Sequence, residues 1–228
     1  MSSPVPASSS PFAEPFGAVL LDMDGTLIDS IGSVERSWTA WSGEYGVDPR
    51  RLRGFHGVTA EQVVAALLPE DVRAEAFARI RAIEVADVEG ITVLPGAAEL
   101  LGMLSAGGVP TAIVTSSTDD LAEARLTATR LPHPPVVVTA SDVERGKPFP
   151  DPWLEAARRL GVDPSDCLVV EDSVAGLRAA REAGCRGLVG VLGTTPREEL
   201  QEVAHVVLDD VSHLVTTVGG GRVRVVGH

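Results

Sequence analysis

The chain reads AVLLDMDGTL over residues 18–27, an apolar run that ends in two carboxylates one residue apart. The run has no polar alternation, which is typical of a parallel strand buried on both faces, and in open α/β sheets the chemistry lies at the carboxyl ends of such strands. Residues i and i+2 of an extended segment point the same way, so Asp22 and Asp24 can address one reacting atom. The competing interpretation is a strand followed by an ordinary Asp-Gly turn. The rest of the chain decides between the two.

The chain after residue 91 alternates short apolar runs with segments long enough for crossover helices. This pattern predicts an α/β fold with a doubly wound, mainly parallel, Rossmann-like sheet. A loose glycine loop at 219–221 and a short edge strand at 222–226 are expected at its end. The apolar runs that predict the strands are residues 111–115, 136–139, 167–170, 187–192 and 204–208.

Residues 32–92 differ from this pattern because they show helical periodicity throughout. Val34, Trp38, Trp41 and Tyr45 recur at spacings of four, three and four, the stripe of an amphipathic helix. Because this block interrupts the sheet between its first and second strands, we expect a mobile helical cap on a chemistry-bearing core. The predicted organisation is a disordered tail at 1–15, a core formed by 16–31 and 93–228, and a cap at 32–92. Within the cap, two further helices are predicted at 59–68 and 71–88.

The composition restricts the possible partners. The formal net charge over 228 residues is −13, which argues against nucleic acid, because a protein that neutralises phosphates needs a basic face. We expect no membrane segment and no signal peptide, since the first fifteen residues lack both an apolar run and a basic start. The cysteines, Cys167 and Cys185, fit no metal-ligand spacing, which favours reduced core thiols in a cytoplasmic protein. A monomer or weak homo-oligomer is expected.

Each later strand is followed by polar residues that could reach the same sheet edge. Thr115 and Ser116 follow the second strand, where hydroxyls and helix-start amides can hold phosphate, although serine-rich helix caps are common for structural reasons alone. Lys147 is the only lysine among the 19 Lys and Arg of the chain. Its retention indicates a site that needs a compact ammonium, although chance survival of a surface lysine is the alternative. Glu171 and Asp172 follow the strand at 167–170.

The four segments DMDGT, TS, KP and ED, beginning at Asp22, Thr115, Lys147 and Glu171, resemble the four motifs of the haloacid-dehalogenase superfamily in order and spacing. The helical insert resembles the cap of the branch that contains β-phosphoglucomutase and small sugar-phosphate and polyol-phosphate phosphatases. The closest likeness is to 2-deoxyglucose-6-phosphate and glycerol-3-phosphate phosphatases. His56 and Gly57 similarly resemble a cap loop that contacts the leaving group. The following Thr59-Ala60 departs from that group, which carries an arginine-containing continuation there.

This resemblance implies a Mg²⁺-dependent phosphatase acting on a small phosphorylated metabolite. Asp22 would attack phosphorus and become an aspartyl phosphate, and Asp24 would serve as acid and base. Thr115 and Ser116 would hold the phosphoryl group, and Lys147 would screen its charge. The implied metal ligands are Asp22, the main-chain carbonyl of Asp24, Asp172, and Glu171 directly or through water.

Other functions with these motifs are distinguished by particular residues. A hydrolytic dehalogenase would leave Asp24 and the acidic pair at 171–172 unexplained, and a phosphonate hydrolase would need a cap lysine, which residues 32–92 lack. A phosphate-sensing binding module is expected to lose at least one chemical residue, and none is lost. A β-phosphoglucomutase-like phosphomutase shares all four motifs. The resemblance places a histidine on the first cap helix of such mutases, where this chain has Val34.

Overall fold

A six-stranded parallel sheet forms the centre of the molecule, in the strand order β5-β4-β1-β6-β7-β8. The structure is a computed structural model that describes residues 10–52, 55 and 57–227. The strands are β1 (Ala18–Leu21), β2 (Ile28–Asp29), β3 (Thr92–Val93), β4 (Thr111–Val114), β5 (Val136–Val138), β6 (Cys167–Glu171), β7 (Gly187–Val191), β8 (Val206–Leu208), β9 (Val215–Gly219) and β10 (Arg222–Gly227). The helices are α1 (Ile31–Tyr45), α2 (Ala60–Leu67), α3 (Glu70–Ala86), α4 (Ala97–Ala106), α5 (Asp119–Thr129), α6 (Asp151–Leu160), α7 (Val174–Glu182) and α8 (Arg197–Gln201).

The central strand β1 is buried on both faces, as its unbroken apolar run predicts. It pairs in parallel with β4 on one side and β6 on the other. Val19 and Leu21 pack with α4 and α5 in one hydrophobic cluster, whereas Ala18 and Leu20 pack with α6 and α7 in a second one. This alternation follows from the two-residue period of a strand. The predicted doubly wound α/β fold is therefore confirmed.

Helices α1, α2 and α3 form a unit with a hydrophobic cluster of its own, which includes Trp41, Val64 and Ile80. The chain leaves the core through β2 and returns through β3, and these strands pair antiparallel. The residues at 32–92 are less uniformly helical than the periodicity predicts, because Thr92 lies in β3 and residues 49–52 form a single 3₁₀ turn. We call residues 31–86 the helical unit.

Both ends of the described chain differ from the sequence-based expectation. Residues 10–15, assigned by composition to a disordered tail, lie against the core: Phe12 is buried, and the Arg186 guanidinium donates hydrogen bonds to the carbonyls of Pro11, Glu14 and Pro15. At the other end, β9 and β10 form a separate antiparallel hairpin instead of an edge strand of the main sheet. Gly220 and Gly221 both have positive φ, so the predicted loose loop is a tight two-residue turn.

No helix in the described ranges is long and apolar enough to cross a membrane. Cys167 and Cys185 are free thiols, and both are buried. Burial raises the pKa of each thiol to about 12, so both are neutral and unreactive near pH 7.

Candidate functional site

Lys147 lies at the centre of the sheet edge where the strands end, and its side chain is fully buried. Its ammonium nitrogen donates to Asp22 Oδ1 at 2.6 Å, to Glu171 Oε2 at 2.8 Å and to the carbonyl of Val114 at 3.0 Å. The three N–H donors of the ammonium are therefore matched by three acceptors. The ring of Trp153 covers the nitrogen at 4.7 Å. A compact cation fills this position, in agreement with the argument from the solitary lysine.

Three carboxylates converge beside this ammonium. Asp22, Glu171 and Asp172 each offer an oxygen atom, and these oxygens lie within 4.8 Å of one another. Burial raises the pKa of Asp22 to about 7, with a further contribution from the charge of Glu171. Burial, then Glu171 and Asp22, raise the pKa of Asp172 well above its usual range. Burial alone would lower the pKa of Lys147, but the two acids that it contacts raise it, so it stays charged.

The charge balance of this cluster fits a bound metal ion. One ammonium faces three buried carboxylates, and a divalent cation would supply the missing positive charge. All the donors are oxygens, the ligands that Mg²⁺ prefers. Both oxygens of Glu171 already accept hydrogen bonds, Oε2 from Lys147 and Oε1 from the amide and hydroxyl of Ser173. Asp22 and Asp172 are therefore the carboxylates with more capacity left for an ion.

The turn after β1 brings the main chain against Asp172. Gly25 has φ of +87°, and a Cβ at this position would lie 2.2 Å from Asp172 Oδ2. Only glycine combines this backbone conformation with such a close approach. The same oxygen accepts hydrogen bonds from the amide of Thr194 at 2.8 Å and from its hydroxyl at 2.6 Å. Sequence reasoning missed Thr194, although its position just after the strand that ends at Val191 follows the same strand-end rule.

Asp24 lies beside the cluster and is held by hydroxyl groups and a guanidinium. Its Oδ1 accepts a hydrogen bond from Ser30 at 2.7 Å and lies 2.9 Å from Arg125 Nη1. Its Oδ2 accepts from Ser117 at 3.0 Å and from Thr115 at 3.3 Å. The predicted Asp24 and Thr115 are thus in contact. Arg125 was not predicted, because nothing in the spacing of an arginine on α5 distinguishes it from a surface residue.

The predicted substrate residues form a junction between the core and the helical unit. Ser116 donates to the carbonyl of Gly57 at 2.8 Å instead of pointing toward Asp24. Gly57 has φ of +76°, and a Cβ there would lie 2.1 Å from the hydroxyl of Ser173. His56, the third predicted residue of this group, lies outside the described residues. Ser116 and Gly57 therefore meet each other where the loop of the helical unit touches the sheet edge.

A cavity of about 700 Å³ lies between this edge and the helical unit. The core side of the cavity supplies Asp22, Asp24 and Asp172, and the opposite side is largely apolar and aromatic. The apolar residues that the helical unit contributes include Val34, Trp38, Leu52, Phe55, Val58 and Phe77, and its polar residues in the lining include Glu35, Thr39, Glu61, Gln62, Arg81 and Glu84. Polar chemistry on one wall faces an apolar wall on the other, which is the usual composition of a small-molecule site.

A family model described as a haloacid dehalogenase-like hydrolase matches residues 16–184. The chain belongs to this family. Among related haloacid dehalogenase-like hydrolases, hexitol phosphatase A of Escherichia coli (strain K12) is 44% identical over 193 residues, which cover 82% of this chain and 89% of that protein. The validoxylamine A 7'-phosphate phosphatase of Streptomyces hygroscopicus subsp. limoneus is 36% identical, over 87% of this chain and 96% of that one. A hydrolase from Pseudomonas syringae has a similar structure, with a TM-score of 0.79, 28% identity and coverage of 86% and 94%.

Proposed function

We propose that this hydrolase is a Mg²⁺-dependent phosphatase that cleaves a small sugar phosphate or polyol phosphate through an aspartyl-phosphate intermediate on Asp22. The observation that carries the proposal is the buried cluster of Asp22, Lys147, Glu171 and Asp172 on the floor of a cavity. A relative that is 44% identical is a hexitol phosphatase. Proposed partners are therefore small phosphorylated metabolites.

Asp22 is the proposed nucleophile because it lies at the end of β1 with its carboxylate oriented by Lys147. The 2.6 Å contact with a permanently charged ammonium favours the ionised, nucleophilic form, against the opposing effect of burial. Bound by Asp22, Asp172 and the carbonyl of Asp24, with Glu171 beside them, Mg²⁺ would supply the charge that screens the phosphate dianion from the attacking carboxylate. Thr115, which donates a hydrogen bond to Asp24, would orient the phosphoryl group.

Asp24 is the proposed acid and base. It would give its proton to the oxygen of the leaving alcohol as the P–O bond breaks, and then accept a proton from the water that attacks the phosphorylated Asp22. This division splits one difficult step into two easier ones. The four contacts of Asp24 fix its carboxylate, so little reorientation is needed between the two steps.

Hydrolysis is favoured over the phosphomutase reaction by the residues on the cavity wall. The resemblance places a histidine of mutases at the position of Val34, and Val34 lines the cavity here. The resemblance also places a lysine in the cap loop of mutases, and residues 32–92 contain no lysine. Without such groups to hold a sugar in two orientations, water is expected to reach the phosphorylated enzyme.

A phosphate-release screen over sugar phosphates, polyol phosphates and nucleotides, with and without Mg²⁺, tests the proposal. Magnesium-dependent release from a sugar or polyol phosphate, lost after chelation and restored by added Mg²⁺, is the expected result. Tight binding without any release would instead support a phosphate-sensing module. A second assay uses β-glucose 1-phosphate with a trace of glucose 1,6-bisphosphate. Accumulation of glucose 6-phosphate with almost no free phosphate would identify a mutase.

A further inference from the structure

Arg125 is a buried arginine of α5 that contacts the site at Asp24. Its side chain is 3% exposed. Nη1 lies 2.9 Å from Asp24 Oδ1 and donates to the Ser117 hydroxyl at 2.9 Å, and Ser117 in turn donates to the other oxygen of Asp24. One nitrogen therefore orients both oxygens of the carboxylate, one directly and one through a hydroxyl.

The other terminal nitrogen of Arg125 faces the helical unit. Nη2 lies 3.4 Å from Oε1 of Glu84, a residue of α3 whose side chain is 6% exposed. Glu84 lines the cavity beside Trp38. A single guanidinium thus bridges the carboxylate of Asp24 on the core and the carboxylate of Glu84 on the helical unit.

This arrangement is poorly explained by stability alone. Removing two acids and a guanidinium from water costs free energy that ion pairing often fails to offset. Within the described residues, Arg125 Nε has no hydrogen-bond partner although it is buried. An apolar side chain of similar size would avoid this unpaired donor. A planar guanidinium can do what such a residue cannot: its two terminal nitrogens can hold two carboxylates in fixed positions relative to each other.

We propose that Arg125 is a positioning residue that holds Asp24 in the orientation for proton transfer, and that Glu84 makes this orientation depend on the docked helical unit. The inference rests on the proposed function of Asp24 as acid and base. Neither Arg125 nor Glu84 touches the reacting atoms in this scheme. Their effect reaches the chemistry through the carboxylate of Asp24 alone.

The consequence is a dependence on the leaving group. A sugar or polyol alkoxide needs the proton from Asp24 as it departs, whereas p-nitrophenolate departs without one. The constant kcat/KM covers the steps up to the first irreversible one, here release of the alcohol. In Arg125→Met, kcat/KM should fall about 100-fold for the sugar or polyol phosphate found in the screen and less than about fivefold for p-nitrophenyl phosphate. Glu84→Gln should show a smaller loss, about three- to tenfold, with the same selectivity.

Three further variants make the test decisive. Arg125→Lys keeps a point charge that can reach one carboxylate, so it should recover part of the alkyl phosphate activity. The double variant Arg125→Met/Glu84→Gln removes both charges of the buried pair and serves if the single variant does not fold. Asp120→Asn is the matched control, because it weakens another ion pair between α3 and α5, that of Arg81 with Asp120, at a residue that neither contacts Asp24 nor belongs to the described lining of the cavity. Its ratio of the two constants should equal that of the wild type.

The outcomes separate the two proposals. Equal losses for both substrates in the Arg125 variants, or a ratio shifted toward the alkyl phosphate, would overturn the positioning role while leaving the phosphatase intact. A change of ratio in Asp120→Asn as large as in Glu84→Gln would overturn the specific role of Glu84. A wild type that releases no phosphate from any compound would overturn the proposed function and this inference with it.

Discussion

The sheet edge and the facing wall of the helical unit are built in opposite ways. At the edge, Asp22, Lys147, Glu171 and Asp172 are buried titratable groups, and short hydrogen bonds connect Lys147 to Asp22 and to Glu171. On the helical unit, the cavity wall is mainly aliphatic and aromatic, with Glu84 as its buried carboxylate. A fixed polar cluster suits a reaction common to many substrates, and an apolar wall suits the shape of one leaving group. Under the proposed function, the core would carry the reaction and the helical unit would select the substrate.

The largest expected effect comes from Asp22→Asn at the sheet edge. The amide occupies nearly the same volume but removes the nucleophile and a metal ligand, so turnover should fall by at least about 10⁴-fold. Phosphate release measures the loss, and circular dichroism checks the fold. Asp29→Asn, at an exposed carboxylate of β2, is the control and should retain near-wild-type rates. Appreciable activity in Asp22→Asn would exclude the aspartyl-phosphate mechanism.

Lys147→Arg tests whether the edge needs a compact cation. The wider guanidinium cannot occupy the space between Asp22, Glu171 and the ring of Trp153 and still direct donors to the same acceptors. We expect kcat to fall by about 10²- to 10³-fold with the charge unchanged. Arg158→Lys, at an exposed ion pair with Glu155 outside the cavity lining, is a matched reverse exchange and should have little effect on rate. Near-normal rates in Lys147→Arg would contradict the argument from the solitary lysine.

Glu84 links the two regions, and its stability contribution should depend on pH. Burial raises its pKa to about 7, despite the opposing effect of Arg125, with the charge of Asp24 adding to the rise. Because the folded pKa lies above the unfolded one, this group stabilises the protein at low pH, and that contribution is lost as pH rises through about 7. Relative to Glu84→Gln, the wild type should lose about 2 kcal/mol of unfolding free energy between pH 5.5 and pH 8.

Urea unfolding of both proteins at several pH values, without added metal, measures this difference. The titrations of Asp22 and Asp172 are common to the two proteins and cancel in the comparison. A difference in stability that stays constant with pH would show that Glu84 is ionised throughout and fully compensated by Arg125.

The smallest effect is expected on the apolar wall, where Trp38 and Trp41 provide a matched pair. Trp38 lines the cavity, whereas Trp41 is fully buried in the helical unit and donates its indole N–H to the carbonyl of Ala76. Trp38→Leu should raise KM about tenfold with a smaller change in kcat. Trp41→Leu should instead lower the unfolding free energy by about 3 kcal/mol and leave KM near the wild-type value. Steady-state kinetics on both variants measure KM, and thermal unfolding measures the loss of stability. A raised KM in Trp41→Leu with a loss of stability in Trp38→Leu would contradict the distinction between the cavity wall and the core of the helical unit.

Much of the fold and of the sheet edge could be predicted from the sequence because both depend on local patterns. An unbroken apolar run such as 18–21 indicates a strand buried on both faces, and parallel strands bring their carboxyl ends to one edge. Asp22, Asp24, Thr115, Lys147 and Glu171-Asp172 could therefore be grouped although they lie up to 150 residues apart. The segment at 222–226 was wrongly predicted to be an edge strand of the main sheet. Apolar residues indicate that a segment forms a strand, but they do not indicate which strand it pairs with.

By itself, the sequence determined the α/β class, the helical insertion and the acids and lysine that meet at the sheet edge, since each follows from the periodicity or position of residues along the chain. Only the tertiary structure decided that Ser116 meets Gly57, that Thr194 supports Asp172, and that Arg125 joins Asp24 to Glu84. These contacts depend on how helices from two units pack, and an arginine at one helix position has no local pattern that distinguishes a buried bridge from a solvated surface charge. The physical reason is that the residues at the ends of parallel strands meet at one sheet edge whenever the strands pair. Side chains that meet across a cavity do so only when both walls of the cavity have packed together.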